Sequence, residues 1–111
     1  MRSGQVLWNG QLAGILTQYN RSHYEFEYDE VWLADEFKPP ISLTFPKSQK
    51  VYKADHLFPF FFNMLSEGVN RKLQSRLLKI DEQDHFGLLL ATASQDSIGA
   101  VSVVPSNNEH Q

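Results

Sequence analysis

The dipeptide Asn9-Gly10 constrains this chain more than any other pair of residues. Val6-Leu7-Trp8 precede it and Leu12-Ala13-Gly14-Ile15-Leu16 follow it. Asn-Gly between two apolar runs is the strongest short hairpin signal, because both central positions of the favoured turn need positive φ. The chain is therefore expected to open with two antiparallel strands. Tyr19 to Ser22 read as a second turn, and His23-Tyr24-Glu25-Phe26-Glu27-Tyr28 then alternate strictly. Tyr24, Phe26 and Tyr28 share one face, with Glu25 and Glu27 on the other, as in a half-buried strand. The first 28 residues thus predict a three-stranded antiparallel meander.

Beyond it, Asp29 is placed to cap a short turn carrying Val31, Trp32 and Leu33. Pro39-Pro40 disfavours helix, residues 41–46 (ISLTFP) read as a short strand closed by Pro46, and the polar residues 47–56 read as a loop. The period then becomes helical. Pro59 suits a first helical turn, and the helix is expected to run to about Glu67, with Gly68 as its end signal. Val69, Leu73, Leu77 and Ile80 follow at the spacing of one helix face. Asp81 is expected to cap a third helix, with Asp84 in its first turn and an apolar face of Phe86, Leu89, Leu90 and Ala93. Residues 98–104 (IGAVSVV) read as a closing strand, and 105–111 (PSNNEHQ) as a polar, frayed tail. Strands, then a helical group, then a strand predict an α+β fold: a small antiparallel sheet with about three helices, in one domain over residues 1–104.

Composition removes several function classes. The chain has 111 residues, enough for one core. It has no cysteine, which excludes disulfides and thiolate chemistry. Its net charge of −3 argues against direct nucleic-acid binding, which needs a basic face. No apolar run approaches the ~20 residues of a membrane helix, and the N-terminus lacks a signal-peptide pattern. A cytoplasmic protein is the expectation.

Catalytic motifs are not evident. The glycines form neither dinucleotide nor phosphate-binding loops, and no G-x-S-x-G elbow occurs. The histidines at 23, 56, 85 and 110 are scattered, without metal-ligand spacing. Glu25, Glu27, Asp29 and Glu30 are explained by a solvent-facing strand edge and a helix cap; a catalytic pair there would need a pocket. Lys72, Arg76 and Lys79 form a basic stripe that is either a solvated face or a contact for an acidic partner. No enzyme activity, cofactor or metal is expected.

The segment LFPFFFNMLSEGVN (57–70) carries the strongest hint of function. At 100° per residue, Phe60, Phe61 and Phe62 sweep about 200° of helix surface, whereas a core-facing stripe needs little more than ~100°. Either the helix lies between the sheet and the other helices, or one ring belongs to a protein interface, where Phe is enriched. Phe60, at the edge of the arc, is expected to be the ring left exposed.

Residues 7–16 (LWNGQLAGIL), 24–35 (YEFEYDEVWLAD), 41–46 (ISLTFP), 59–68 (PFFFNMLSEG) and 85–101 (HFGLLLATASQDSIGAV) together resemble the N-terminal subdomain of the HipA-type serine/threonine kinase toxins. The resemblance spans about residues 5–103, and the order and spacing of its motifs match throughout. In that family the subdomain leads into a kinase body with ATP and Mg²⁺ motifs. A chain ending after the closing strand is similar to the HipS-type antitoxins of tripartite HipB–HipS–HipT systems, in which the kinase toxin lacks this subdomain. The resemblance implies a non-enzymatic antitoxin whose partner is a HipT-like kinase toxin and, through that complex, a HipB-like DNA-binding protein. The alternative is a structural N-terminal subdomain of a full-length HipA-type kinase, without activity of its own. Kinase-embedded relatives usually carry Pro where this chain has Ser66. The expected partner-binding residues are Phe60, Asn63, Ser66, Glu67, Gly68, Val69, Asn70, Lys72 and Arg76, with Val69 as the protruding side chain.

Overall fold

A computed structural model describes residues 1–65, 67–93 and 100–106. Its frame is a five-stranded, wholly antiparallel sheet in the order β4-β3-β2-β1-β5. The strands are β1 (Arg2–Trp8), β2 (Gln11–Asn20), β3 (His23–Tyr28), β4 (Val51–Ala54) and β5 (Val101–Pro105). The helices are α1 (Glu30–Ala34), α2 (Pro59–Phe62), α3 (Gly68–Leu78) and α4 (His85–Thr92).

The meander forms as its local chemistry predicts. Asn9 and Gly10 both take positive φ, at 49° and 83°, the geometry that joins β1 to β2 by a two-residue turn. Tyr24, Phe26 and Tyr28 are buried, while Glu25 and Glu27 face away from the core. Asp29 caps α1, its carboxylate accepting the N–H groups of Val31 and Trp32. In α1 only Trp32 is buried; its indole N–H donates to the Pro39 carbonyl at 2.9 Å, and Val31 faces solvent.

Residues 41–46 do not form a strand; they bend around one side chain. The Tyr28 hydroxyl accepts the Ile41 N–H at 3.1 Å and donates to the Phe45 carbonyl, while the Phe45 N–H closes a turn on the Ser42 carbonyl. These backbone groups are satisfied without a ladder, and Ile41 and Phe45 are both delivered to the core. The strand lies instead inside the segment expected to be a loop. β4 pairs with β3, with Phe26 opposite Tyr52 and Glu27 opposite Val51. Four residues among polar neighbours carry too little alternation to be read from sequence.

α2 is shorter than its apolar pattern suggests. After Phe62 the Met64 and Leu65 N–H groups bond three residues back, to Phe61 and Phe62, so the helix tightens and stops before Glu67. Gly68 does not end α2. It opens α3 at a φ of 56°, a left-handed conformation with nothing within 4 Å of the space a Cβ would fill. The cap of α4 is Asp84 rather than Asp81: the Asp84 carboxylate accepts the Gly87 N–H at 3.1 Å, and Asp81 holds the turn before it by accepting from Gln83. Leu88, absent from the expected face of α4, is buried with Phe86, Leu89 and Ala93. β5 spans Val101–Pro105, and Ser106 is buried, its N–H bonded to the Ser3 carbonyl, so order extends past the expected start of the tail. Residues 98 and 99 of the expected closing strand and 107–111 of the tail lie outside the described residues.

The core lies on one face of the sheet. Val6, Leu16, Phe26 and Val103 meet Phe61 from α2 and Phe86 and Leu89 from α4. An aromatic cluster centres on Phe45, whose ring lies 5.0 Å from Phe26, 5.2 Å from Phe58 and 5.8 Å from Phe61.

Candidate partner-docking surface

The three adjacent rings of α2 divide between two neighbours. Phe61 is fully buried against the sheet. Phe60 is half-buried, edge-on to Phe45 and Phe61 at 6.1 and 5.2 Å. Phe62 is equally half-buried on the other flank, with the His85 ring edge-on at 5.0 Å and the Arg71 guanidinium over it at 5.4 Å. Phe60 is therefore not left open, contrary to expectation. A helix lodged between sheet and helices consumes most of a 200° arc.

Exposed apolar side chains line up on α3, whereas Val31, Phe37 and Leu43 stand exposed elsewhere. Val69, Leu73 and Leu77 fall within about 80° of the helix circumference at 100° per residue, as their spacing predicts. That face points outward: the three side chains are 80%, 48% and 71% exposed, and no residue of α3 is buried. The side turned toward the protein carries Arg71, Gln74 and Ser75, all partly buried. Arg71 packs on Phe62, and the Ser75 hydroxyl donates to the Ile80 carbonyl beyond the helix end. The Nε of Arg71 is buried without a hydrogen-bond partner among the described residues, so this inner contact is poorly satisfied there. α3 thus has its amphipathicity reversed, polar side in and apolar side out.

Of the residues expected to bind a partner, Glu67, Gly68, Val69 and Asn70 form the exposed entry to α3. Lys72 and Arg76 are exposed one turn apart beside the Val69–Leu73–Leu77 stripe. Asn63 is exposed at the end of α2, and Phe60 sits apart from this stripe, on the Phe45 side of α2. Ser66 lies outside the described residues. Leu78, which sequence reasoning did not single out, is 45% exposed on the same helix.

The carboxylates on the outer face of β3 and at the start of α1 are engaged locally. Glu25 pairs with His23 at 2.8 Å, and Lys50 bridges Glu27 and Glu30 at 3.5 and 3.1 Å. Two concavities stand out among the described residues: a polar cleft of about 870 Å³ near Arg2, Arg21 and Asp84, and an apolar one of about 150 Å³ near Phe45 and Phe60. Neither is lined by Glu25, Glu27 or Asp29. No helix among the described residues is long and apolar enough to cross a membrane.

Comparison with known proteins places this arrangement. A solved structure, the N-terminal domain of the HipA toxin, superimposes with a TM-score of 0.72 at 28% identity, covering 96% of this chain and 94% of that one. An uncharacterized protein of Haemophilus influenzae is 33% identical over 103 residues, which are 93% of this chain and 92% of that protein. The putative kinase Y4mE of Sinorhizobium fredii is 31% identical over 104 residues, and there the match spans only 24% of the kinase's length. Residues 4–104 match the HipA N-terminal domain as a family, and the chain belongs to that family.

Proposed function

We propose that this chain is the antitoxin of a tripartite HipBST-like system and neutralises a HipA-like serine/threonine kinase toxin by binding it near its active-site cleft, with no chemistry of its own. The observation that carries this reading is the reversed α3, which spends an apolar stripe on solvent that the domain's own core does not use. Such a stripe beside Lys72 and Arg76 suits a partner offering an apolar groove with an acidic rim. The Haemophilus relative supports the reading, because in it the same domain makes up nearly the whole protein. A HipB-like DNA-binding protein would join through the kinase, and the complex would act in the cytoplasm.

The test is co-expression with the HipA-like kinase encoded beside the gene, comparing wild type with Val69→Asp and Gly68→Glu. The expected result is restored kinase toxicity and loss of co-purification. Unchanged neutralisation by both variants overturns the reading.

The match to one quarter of a putative kinase favours a second reading, in which the domain is a structural N-terminal part of a full-length kinase. Reading the coding sequence downstream distinguishes the two: a kinase domain in the same frame supports the second, a separate kinase gene the first.

A further inference from the structure

The sheet ends at β4, on a different element from α3. β4 is the terminal strand on its side, with no neighbour beyond it among the described residues. In an antiparallel pair, backbone groups turn alternately toward the partner strand and away. The Lys50 carbonyl accepts from the Tyr28 N–H, so it faces β3. Val51 therefore faces outward, and its carbonyl takes a bond from the Gln49 side chain at 2.6 Å. Two residues on, Lys53 presents its N–H and C=O to the open edge, with no side-chain cap among the described residues.

Beside that edge lies the apolar concavity of about 150 Å³ formed by Phe45, Tyr52, Phe58 and Phe60. It is below the roughly 300–1,000 Å³ of a small-molecule site, and suits one inserted side chain. Tyr52 and Lys53 point to opposite faces of the strand. Tyr52 packs edge-on against Phe45 at 5.1 Å, so its face holds the concavity; Lys53 also borders the concavity, at the open edge, while strand alternation sends its side chain to the opposite face. Among the described residues Lys53 has no ion-pair partner; Glu25, opposite it in the ladder, is held by His23.

We propose that the β4 edge binds an extended segment of another protein by strand addition, with an acidic residue opposite Lys53 and flanking aromatic or aliphatic side chains, one of which enters the Phe45–Phe58–Phe60 concavity. Open backbone groups dictate the extended conformation, the concavity the apolar side chains, and the unpaired ammonium the acid. A second copy is the poorer occupant, because β4 itself contains no carboxylate and two edges paired in register at Lys53 would oppose their own lysines. This surface is independent of the kinase-docking proposal and stands if that one fails.

The test titrates the full chain, isotopically labelled, with the capped peptides Phe-Glu-Phe-Glu-Phe and Phe-Lys-Phe-Lys-Phe, following amide exchange by NMR and affinity together. The acidic peptide should slow exchange at the Lys53 amide and bind more tightly than the basic one. Lys53→Glu should weaken the acidic peptide by about 2- to 30-fold and reverse the preference, from exposed-pair energies gained once and opposed once. Lys53→Gln supplies the same comparison without reversal should the first variant fold poorly, and Phe60→Ala should weaken both peptides. Equal affinity of the two peptides with no protection at Lys53 overturns the proposal. So does concentration-dependent protection of that amide in the peptide-free chain, which assigns the edge to a second copy.

Discussion

Arg2 and Asp84, 82 positions apart, grip each other through two parallel bonds, Nη1 to Oδ2 at 3.0 Å and Nη2 to Oδ1 at 2.8 Å. The pair fastens the first strand to the cap of α4. The same guanidinium bonds the Gln18 side chain on β2 and lies over the Phe86 ring at 5.3 Å. Asp84 therefore serves two structures at once, as a helix cap and as the anchor of β1.

Those two roles separate by substitution. Asp84→Asn keeps a capping oxygen and loses the charge, whereas Asp84→Ala loses both. The alanine variant should be destabilised by about 1–2 kcal/mol, the asparagine variant by less, measured by urea unfolding. The Arg2 hydrogen bond, foremost, holds the Asp84 carboxyl below its ordinary value of 3.8. A depressed folded-state pKa contributes stability that is present above 3.8 and lost as pH falls through the lower folded value. Wild type should lose that increment in this acid window, and Asp84→Ala should show a flatter pH dependence there.

Tyr28 organises residues 41–46 through one hydroxyl that accepts from Ile41 and donates to Phe45. Tyr28→Phe leaves a buried N–H and a buried C=O without that partner and should cost about 1–3 kcal/mol. Amide exchange at Ile41 should rise more than at strand positions. Burial also pushes the Tyr28 phenol above its ordinary value of 10.0, so it stays protonated at neutral pH and can donate.

Gly14 lies where β2 passes under the Phe26 ring. A Cβ there would come within 2.7 Å of the ring and 2.5 Å of the Glu27 carbonyl oxygen. Gly14→Ala should destabilise by about 1–3 kcal/mol through overpacking, read as a lower thermal midpoint.

The two faces of the helical region should respond in opposite ways. Leu73→Glu and Leu77→Glu alter exposed positions, so stability should change by no more than about 0.5 kcal/mol. Phe61→Ala should cost about 3–5 kcal/mol by opening a cavity in the core. If the α3 stripe docks the kinase, the two stable glutamate variants should lose binding while remaining folded, checked by circular dichroism beside co-purification.

Most of the frame was legible residue by residue. Asn9-Gly10 set the first hairpin, strict alternation set β3, and Asp29 set the cap of α1, because each depends on neighbours in sequence. The misreadings share a cause. Residues 41–46 carry strand-forming side chains, yet their backbone is satisfied by Tyr28, 13 and 17 positions away. β4 exists because β3 offers an edge, not because its four residues insist on extending. Asp84 outcompeted Asp81 as a cap partly because Arg2 holds it from the far end of the chain.

For the candidate site the division is sharper. The sequence by itself determined that Val69, Leu73 and Leu77 share one face of a helix, since a period of 3.6 depends on nothing but the helix. Which way that face points was decided only in the tertiary structure. The sheet face is already covered by Phe61, Phe86 and Leu89, so α3 rests on Phe62 through Arg71 and turns its apolar stripe to solvent. Periodicity fixes relative angles around a helix axis; the rotation of the whole helix is set by what the rest of the core has left to bury.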